Sequence, residues 1–234
     1  MRVVFDVSEY GVGQPQTILG AYDTEYYTGL YVDGEFMEID YEHGVQHIFT
    51  TIGEHTVEYE IPNDEDTFYG HIYNSLDVTL PEGIKIIKHG CFGDGTGQGV
   101  YRNVGLPTTL EVIEDGVFSR GFFLLGNTGV TIPSAIIIGD YAFAYCRNWD
   151  DEELGLKRIE LPANLESVGR GCFASSILLS SITCHAATAP SLGIDAFMYT
   201  ASTGTLYYPA GSDYSSWLSA LNYTSGRNWT GVEI

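Results

Sequence analysis

Apolar and polar positions alternate over a short phrase that returns along the chain. It reads Val78-Thr79-Leu80-Pro81, Val104-Gly105-Leu106-Pro107, Val130-Thr131-Ile132-Pro133 and Ile159-Glu160-Leu161-Pro162, with weaker copies at Ile182-Thr183-Cys184 and Leu206-Tyr207-Tyr208-Pro209. Successive phrases begin 26, 26, 29, 23 and 24 residues apart. A period in this range marks a solenoid, in which one supersecondary unit stacks on the next. On a strand, the first and third residues of the phrase share a face and the second points the other way. The aliphatic pair therefore turns inward, the middle residue turns outward, and proline, lacking an N–H, ends the ladder.

The rest of each unit repeats as well. Phe stands at 92, 118, 143, 173 and 197, with an aliphatic five residues earlier (Ile87, Ile113, Ile138, Val168, Leu192) and a smaller apolar residue directly before it (Cys91, Val117, Ala142, Cys172, Ala196). A further aliphatic follows the proline by three in four units: Ile84, Leu110, Ile136 and Leu165. The third unit is one residue shorter between Pro133 and Phe143. No unit buries these side chains alone, so stacking must supply one continuous core.

The phrases Ile138-Gly139-Asp140-Tyr141-Ala142-Phe143 followed by Tyr145-Cys146, and Ile159-Glu160-Leu161-Pro162 with Leu165 and Val168-Gly169, resemble the BspA-like leucine-rich repeats of bacterial surface proteins. The C-terminal run resembles that family's closing cap: Ile182 to Ala186, Ala189-Pro190, Leu206 to Pro209, Tyr214 and Trp217. The likeness covers about residues 76–234. Lys88 and Glu114 depart from it, standing where Gly139 and Gly169 stand later. Long insertions follow Phe92, Phe118 and Tyr145, which predicts an irregular coil.

Upstream, residues 1–75 predict a small β domain. The strand candidates are Val3–Val7, Thr17–Ala21, Leu30–Val32, Phe36–Ile39, Gln46–Phe49 and His55–Ile61, with Asp33-Gly34 as a hairpin signal. Short strands with turns at this spacing suggest a sandwich, and the phrasing resembles the immunoglobulin-like modules that precede such repeats, although no Cys–Trp–Cys signature is present. Phe68 to Tyr73 reads as a degenerate first coil. The expected organisation is mostly β: an immunoglobulin-like β-sandwich over 1–75, a leucine-rich-repeat solenoid over 76–204, and a cap over 205–234 containing one short helix at 213–221, with Trp217 and Leu221 on one face.

Charge narrows the partners. The chain carries 31 acidic side chains against 10 Lys and Arg, a formal net charge of −21. Residues 1–75 hold 15 of the acids and a single base, Arg2. Such a surface repels phosphate backbones and anionic lipid, so nucleic-acid binding is disfavoured. No run is long and apolar enough for direct membrane insertion, and Asp6 interrupts the N-terminus too early for an export signal. The family resemblance implies that this signal lies upstream or has been removed.

Candidate chemistry is sparse. The glycine-rich loop 93–99 lacks the Lys-Ser/Thr of a phosphate loop. The acidic runs Asp64-Glu65-Asp66 and Asp150 to Glu153 lack the alternating spacing of a calcium loop and read as solvated turns. Cys91 and Cys172 fall in the inward slot before Phe and Cys184 replaces an inward Leu; these three and Cys146 lack metal-ligand spacing and read as small buried hydrophobes. His43 and His47 sit in a strand-like context, and Cys184 and His185 point to opposite faces. No cofactor is implied, and no arrangement suggests an enzyme.

The binding candidates are the outward row, Thr79, Gly105, Thr131, Glu160, Thr183 and Tyr207, together with the loop residues Tyr101, Arg102, Arg147 and Trp149; Phe122 and Phe123 are expected in the core. Tyr22, Tyr26, Tyr27 and Tyr31 form an aromatic, acidic candidate that also reads as a half-buried strand face. The resemblance implies non-catalytic adhesion at a bacterial surface, through a rigid repeat face that takes a protein or glycan ligand. A glycan-binding accessory role and an architectural spacer are the alternatives.

Overall fold

A computed structural model describes residues 2–7, 13, 15–19, 27–40, 42–43, 45–61, 66–68, 77–92, 100–101, 103–123, 129–147 and 154–234. Six strands come first: β1 (Arg2–Val7), β2 (Pro15–Leu19), β3 (Gly29–Val32), β4 (Glu35–Phe36), β5 (Val45–Ile48) and β6 (Gly53–Glu60). The repeats then supply β7 (Thr67–Phe68), β8 (Asp77–Thr79), β9 (Ile86–Ile87), β10 (Val100–Tyr101), β11 (Asn103–Gly105), β12 (Val112–Ile113), β13 (Phe122–Phe123), β14 (Gly129–Thr131), β15 (Ile137–Ile138), β16 (Arg158–Leu161), β17 (Ser167–Val168), β18 (Ser181–Cys184), β19 (Ser191–Leu192) and β20 (Thr203–Tyr208). Helix α1 (Ser215–Leu221) and β21 (Asn228–Glu233) close the chain.

The repeats wind into a β-solenoid of about five turns. Coils are bonded to one another on three sides, except that the opening-phrase strands β11 and β14 belong to different sheets. One side is the parallel sheet β7-β9-β12-β15-β17-β19, whose two-residue strands end on Phe68, Ile87, Ile113, Ile138, Val168 and Leu192. A second side is formed by the opening phrases, whose inward Val78, Leu80, Val130, Ile132, Ile159, Leu161, Ile182 and Leu206 are buried. The third is the bend around each Phe, where N–H groups of one coil donate to carbonyls of the next: Phe118 to Ala142, Phe143 to Cys172 and Phe173 to Ala196, each at 2.8 Å. The five phenylalanines stack face to face through the centre, with centroids 4.8 Å apart at Phe92/Phe118 and Phe118/Phe143 and 5.6–5.7 Å further on. Phe68 extends the column below Phe92, making β7 the degenerate first coil, and Trp217 of α1 ends it above Phe197.

The bend holds one left-handed backbone position in each of five coils and, in four of them, a second. The first is Gly90, Gly116, Tyr141, Gly171 and Asp195; the second is Arg120, Tyr145, Ser175 and Tyr199. Only glycine adopts this conformation freely, so the inter-coil bonds hold the other side chains there. The departure at Lys88 and Glu114 has a direct reason. The two side chains stack as an ion pair between neighbouring coils, whereas a Cβ at Gly169 or Gly193 would collide with the backbone of the preceding coil. The shortened third unit corrects one core expectation. Ala135 takes the buried slot, and Ile136 is only half-buried, so the missing residue lies directly after Pro133.

In the N-terminal segment β1, β6, β3 and β4 form an antiparallel sheet, and β2 pairs with β5. The hairpin at Asp33-Gly34 has positive φ at both residues, as a type I′ turn requires. This sheet does not stop at position 75. β1 pairs antiparallel with β8, so the N-terminal strands and the first two repeat phrases form one six-stranded sheet, β11-β8-β1-β6-β3-β4. The expected C-terminal helix forms over Ser215–Leu221, two residues shorter than the expected 213–221: Trp217 and Leu221 are its buried residues, the Trp217 indole donates to Pro190, and the Trp229 indole donates to Ala201. All four cysteines are free and buried, and burial raises the thiol pKa of Cys146, Cys172 and Cys184.

Phe143→Ala leaves a void between two stacked rings, and the expected loss is about 3–5 kcal/mol in urea unfolding; a loss below about 1 kcal/mol contradicts the shared column. A second prediction concerns His55, which is buried with Nδ1 2.7 Å from Asp33 Oδ2 and Nε2 3.0 Å from the Thr51 carbonyl. Burial favours the neutral ring, but the bonds to Asp33 and Thr51 and the Asp33 charge outweigh it, so its pKa lies above the ordinary 6.5. Asp33 is pulled the other way: partial burial would raise its pKa, yet the bonds from His55 and the Thr56 N–H hold it below 3.8. The His55 contribution to stability is complete below 6.5 and is lost as pH rises through the raised value. The Asp33 contribution is complete above 3.8 and is lost on acidification. The wild type should lose melting temperature between about pH 6 and about pH 8 more steeply than His55→Gln; parallel slopes would count against the pair.

Candidate binding groove

The period of two sends the middle residue of each phrase outward, and the parallel register lines these residues up. Thr79 lies opposite Gly105, Thr131 opposite Glu160, Glu160 opposite Thr183, and Thr183 opposite Tyr207. Thr79, Gly105, Thr131 and Glu160 are exposed, and Thr183 and Tyr207 are half-buried. A second row lies two residues upstream on the same face: Asn103, Gly129, Arg158 and Ser181. Together the rows, Tyr207 excepted, line a cavity of about 510 Å³ whose floor reaches Val104, Val130 and Ile159.

Glu160 is its hub. Its Oε2 accepts from the Thr131 hydroxyl at 3.2 Å, and its Oε1 lies 2.8 Å from His185 Nε2. Arg158 lies over Gly129, where any Cβ would overlap its side chain. The groove thus presents one guanidinium, one carboxylate, hydroxyls and bare backbone, and the residues lining it include no aromatic ring. Among the described residues no three His, Cys, Asp or Glu side chains converge as metal ligands.

The row continues past the repeats. Thr79 lies opposite Arg2, Arg2 opposite Glu58, Glu58 opposite Tyr31 and Tyr31 opposite Phe36. By backbone register, the outward row of the solenoid thus continues through β1 to Glu58, Tyr31 and Phe36 of the N-terminal sheet. There the Tyr31 hydroxyl donates to Glu60 at 3.2 Å, and its ring meets the exposed Phe36 edge-on at 5.6 Å. The Glu60 carboxylate raises the Tyr31 pKa. Sequence reasoning treated these segments as separate surfaces, and it missed Arg158, Asn103 and Ser181. Arg158 was within reach of the alternation argument, being two residues before Glu160.

The loop candidates fare differently. Tyr101 is a correction: it is completely buried, its hydroxyl donates to the Phe92 carbonyl at 3.0 Å and its ring packs edge-on against Phe92, so it belongs to the core. Arg147 is half-buried, bridges to Gly155 through its backbone and is not part of the groove lining. Arg102 and Trp149 lie outside the described residues, as do Tyr22 and Tyr26, the loop 93–99, Asp64, Glu65 and the run 150–153; Phe122 and Phe123 are described in their backbone only. Tyr27 is buried against Tyr59, with centroids 5.1 Å apart.

The model of the BspA type leucine rich repeat region matches residues 63–203 in six copies. Searches of curated proteins and of solved structures returned no match.

Core and groove separate by mutation. Tyr101→Ala should cost about 3–5 kcal/mol in urea unfolding, and Thr183→Ala less than about 0.5 kcal/mol; equal costs would contradict the assignment.

Proposed function

This chain belongs to the BspA type leucine-rich-repeat family, and on that premise we propose that it is a non-catalytic binding protein of the bacterial surface that recognises other proteins through the outward rows of its solenoid. In this reading residues 1–75 are an immunoglobulin-like module, 76–204 the recognition solenoid and 205–234 its cap. The supporting observation is the groove around Glu160, a cavity lined by successive parallel strands of the stack. A pre-formed face loses little ordering entropy on binding, which favours affinity. The net charge of −21 favours partners with basic surfaces. A glycan reading calls for exposed rings that stack on sugars, and the groove lining holds none.

The test is a panel of purified matrix proteins beside a glycan array, each probed with the wild type and with Glu160→Lys. The expected result is saturable binding to at least one protein, weakened about tenfold or more by the charge reversal. Saturable binding to glycans alone would replace this reading with the glycan-binding one, and silence on both surfaces would leave an architectural spacer.

A further inference from the structure

One joint of the solenoid is open on one side only. The bonded sheet of opening phrases ends at β11, and the next bonded sheet begins at β14; among the described residues no hydrogen bond joins these two strands. Elsewhere the same two coils remain in contact. β12 pairs with both β9 and β15, and the rings on either side of Phe118 keep the 4.8 Å spacing. The phrase that meets the open joint is also the least covered one. Val104 and Leu106 are half-buried, whereas their counterparts Val78, Leu80, Val130 and Ile132 are buried.

The unpaired edges have a definite orientation. Ile132 donates to Glu160, towards β16, so the preceding Thr131 aims its backbone groups the other way, into the gap. Leu80 donates to Gly105, so Val104 aims its groups into the gap from the opposite side. Two facing strand edges thus border the same cavity, and a strand edge with unmet N–H and C=O groups is a template for another strand.

We propose that this joint is a slot for strand addition, in which an extended segment of a partner protein lies between β11 and β14 and bonds to both. The inference rests on the protein-binding reading and names its partner's chemistry. Side chains of an inserted strand alternate. One set meets the half-covered Val104 and Leu106 and should be β-branched and apolar. The other set faces Thr131, Glu160 and Arg158, one carboxylate and one guanidinium, and the chain's net charge of −21 tips its preference to basic residues. The occupant is therefore an extended peptide alternating apolar and basic residues.

The probe is a synthetic nine-residue peptide of alternating Lys and Val, titrated against the full chain at low salt. Three comparisons accompany it: the same peptide N-methylated at its Val amides, the same N-methylated at its Lys amides, and a Glu/Val version. Each should bind about tenfold or more weaker than the parent, because each methylation removes the donors to one edge and the acidic version meets like charge. Thr131→Pro removes an N–H that serves no ladder bond, together with the hydroxyl that donates to Glu160; Thr131→Ala removes the hydroxyl alone and should bind as the wild type does, whereas folded Thr131→Pro should lose affinity to the same degree as the methylated peptides. Methylated peptides binding as tightly as the parent, or an unaltered affinity in folded Thr131→Pro, overturns strand addition, as does a parent peptide that does not bind. A matrix protein that binds wild type and Thr131→Pro alike but not Glu160→Lys would sink the slot while leaving the protein-binding reading intact. Failure of the peptide and of every panel protein would remove both.

Discussion

Everything in this fold depends on each coil finishing its hydrogen bonds on the next. A single coil presents a row of apolar side chains to no partner and three short runs of backbone to no ladder. Placed on its neighbour, it satisfies the strand bonds, the bonds around the Phe bend and the face-to-face ring contacts together. The requirement is strong enough to hold Tyr141, Tyr145 and Ser175 in backbone conformations that side chains avoid. It also dictates where glycine is compulsory. At Gly169 and Gly193 the coils approach so closely that no Cβ fits, and at Lys88 and Glu114 a slightly different approach admits two long side chains that pair.

The same requirement makes an interruption informative. Where coils differ in length, two sides of the joint can stay bonded while the third parts. That happens between the second and third phrases, next to the insertions after Phe92 and Phe118, whose strands β10 and β13 pair with each other outside the main sheets. The groove forms at this parting, and its two walls belong to different sheets. One wall extends into the N-terminal strands, so the charge of that segment lies beside the repeat face.

Much of this was legible in the residues. The repeat period located the strands, the phenylalanine spacing identified the stacked column, and strict alternation put Thr79, Thr131, Glu160 and Thr183 on one face. Three features were not legible, each for a physical reason. Ile136 looked like a core residue because the deletion in its coil could be placed on either side of Ala135, and only packing decides. Tyr101 looked like loop material because an inserted aromatic carries no period, yet its ring packs edge-on against Phe92. The pairing of β1 with β8 is a contact between segments about 75 residues apart, and no local pattern encodes which sheet edge a strand will choose.

That pairing bears on self-assembly. A parallel stack of identical-looking coils has a top and a bottom that complement one another, and head-to-tail contacts of that kind propagate into filaments unless something closes them. Here each end is altered. β1 crosses the first phrase in the opposite direction and leads outward to the two-residue β4, while α1 sets Trp217 over the last ring and β21 occupies the final strand position. Among the described residues, a second copy stacked head to tail on the opening-phrase side would therefore meet an antiparallel strand at one end and a tryptophan-bearing helix at the other, rather than another coil.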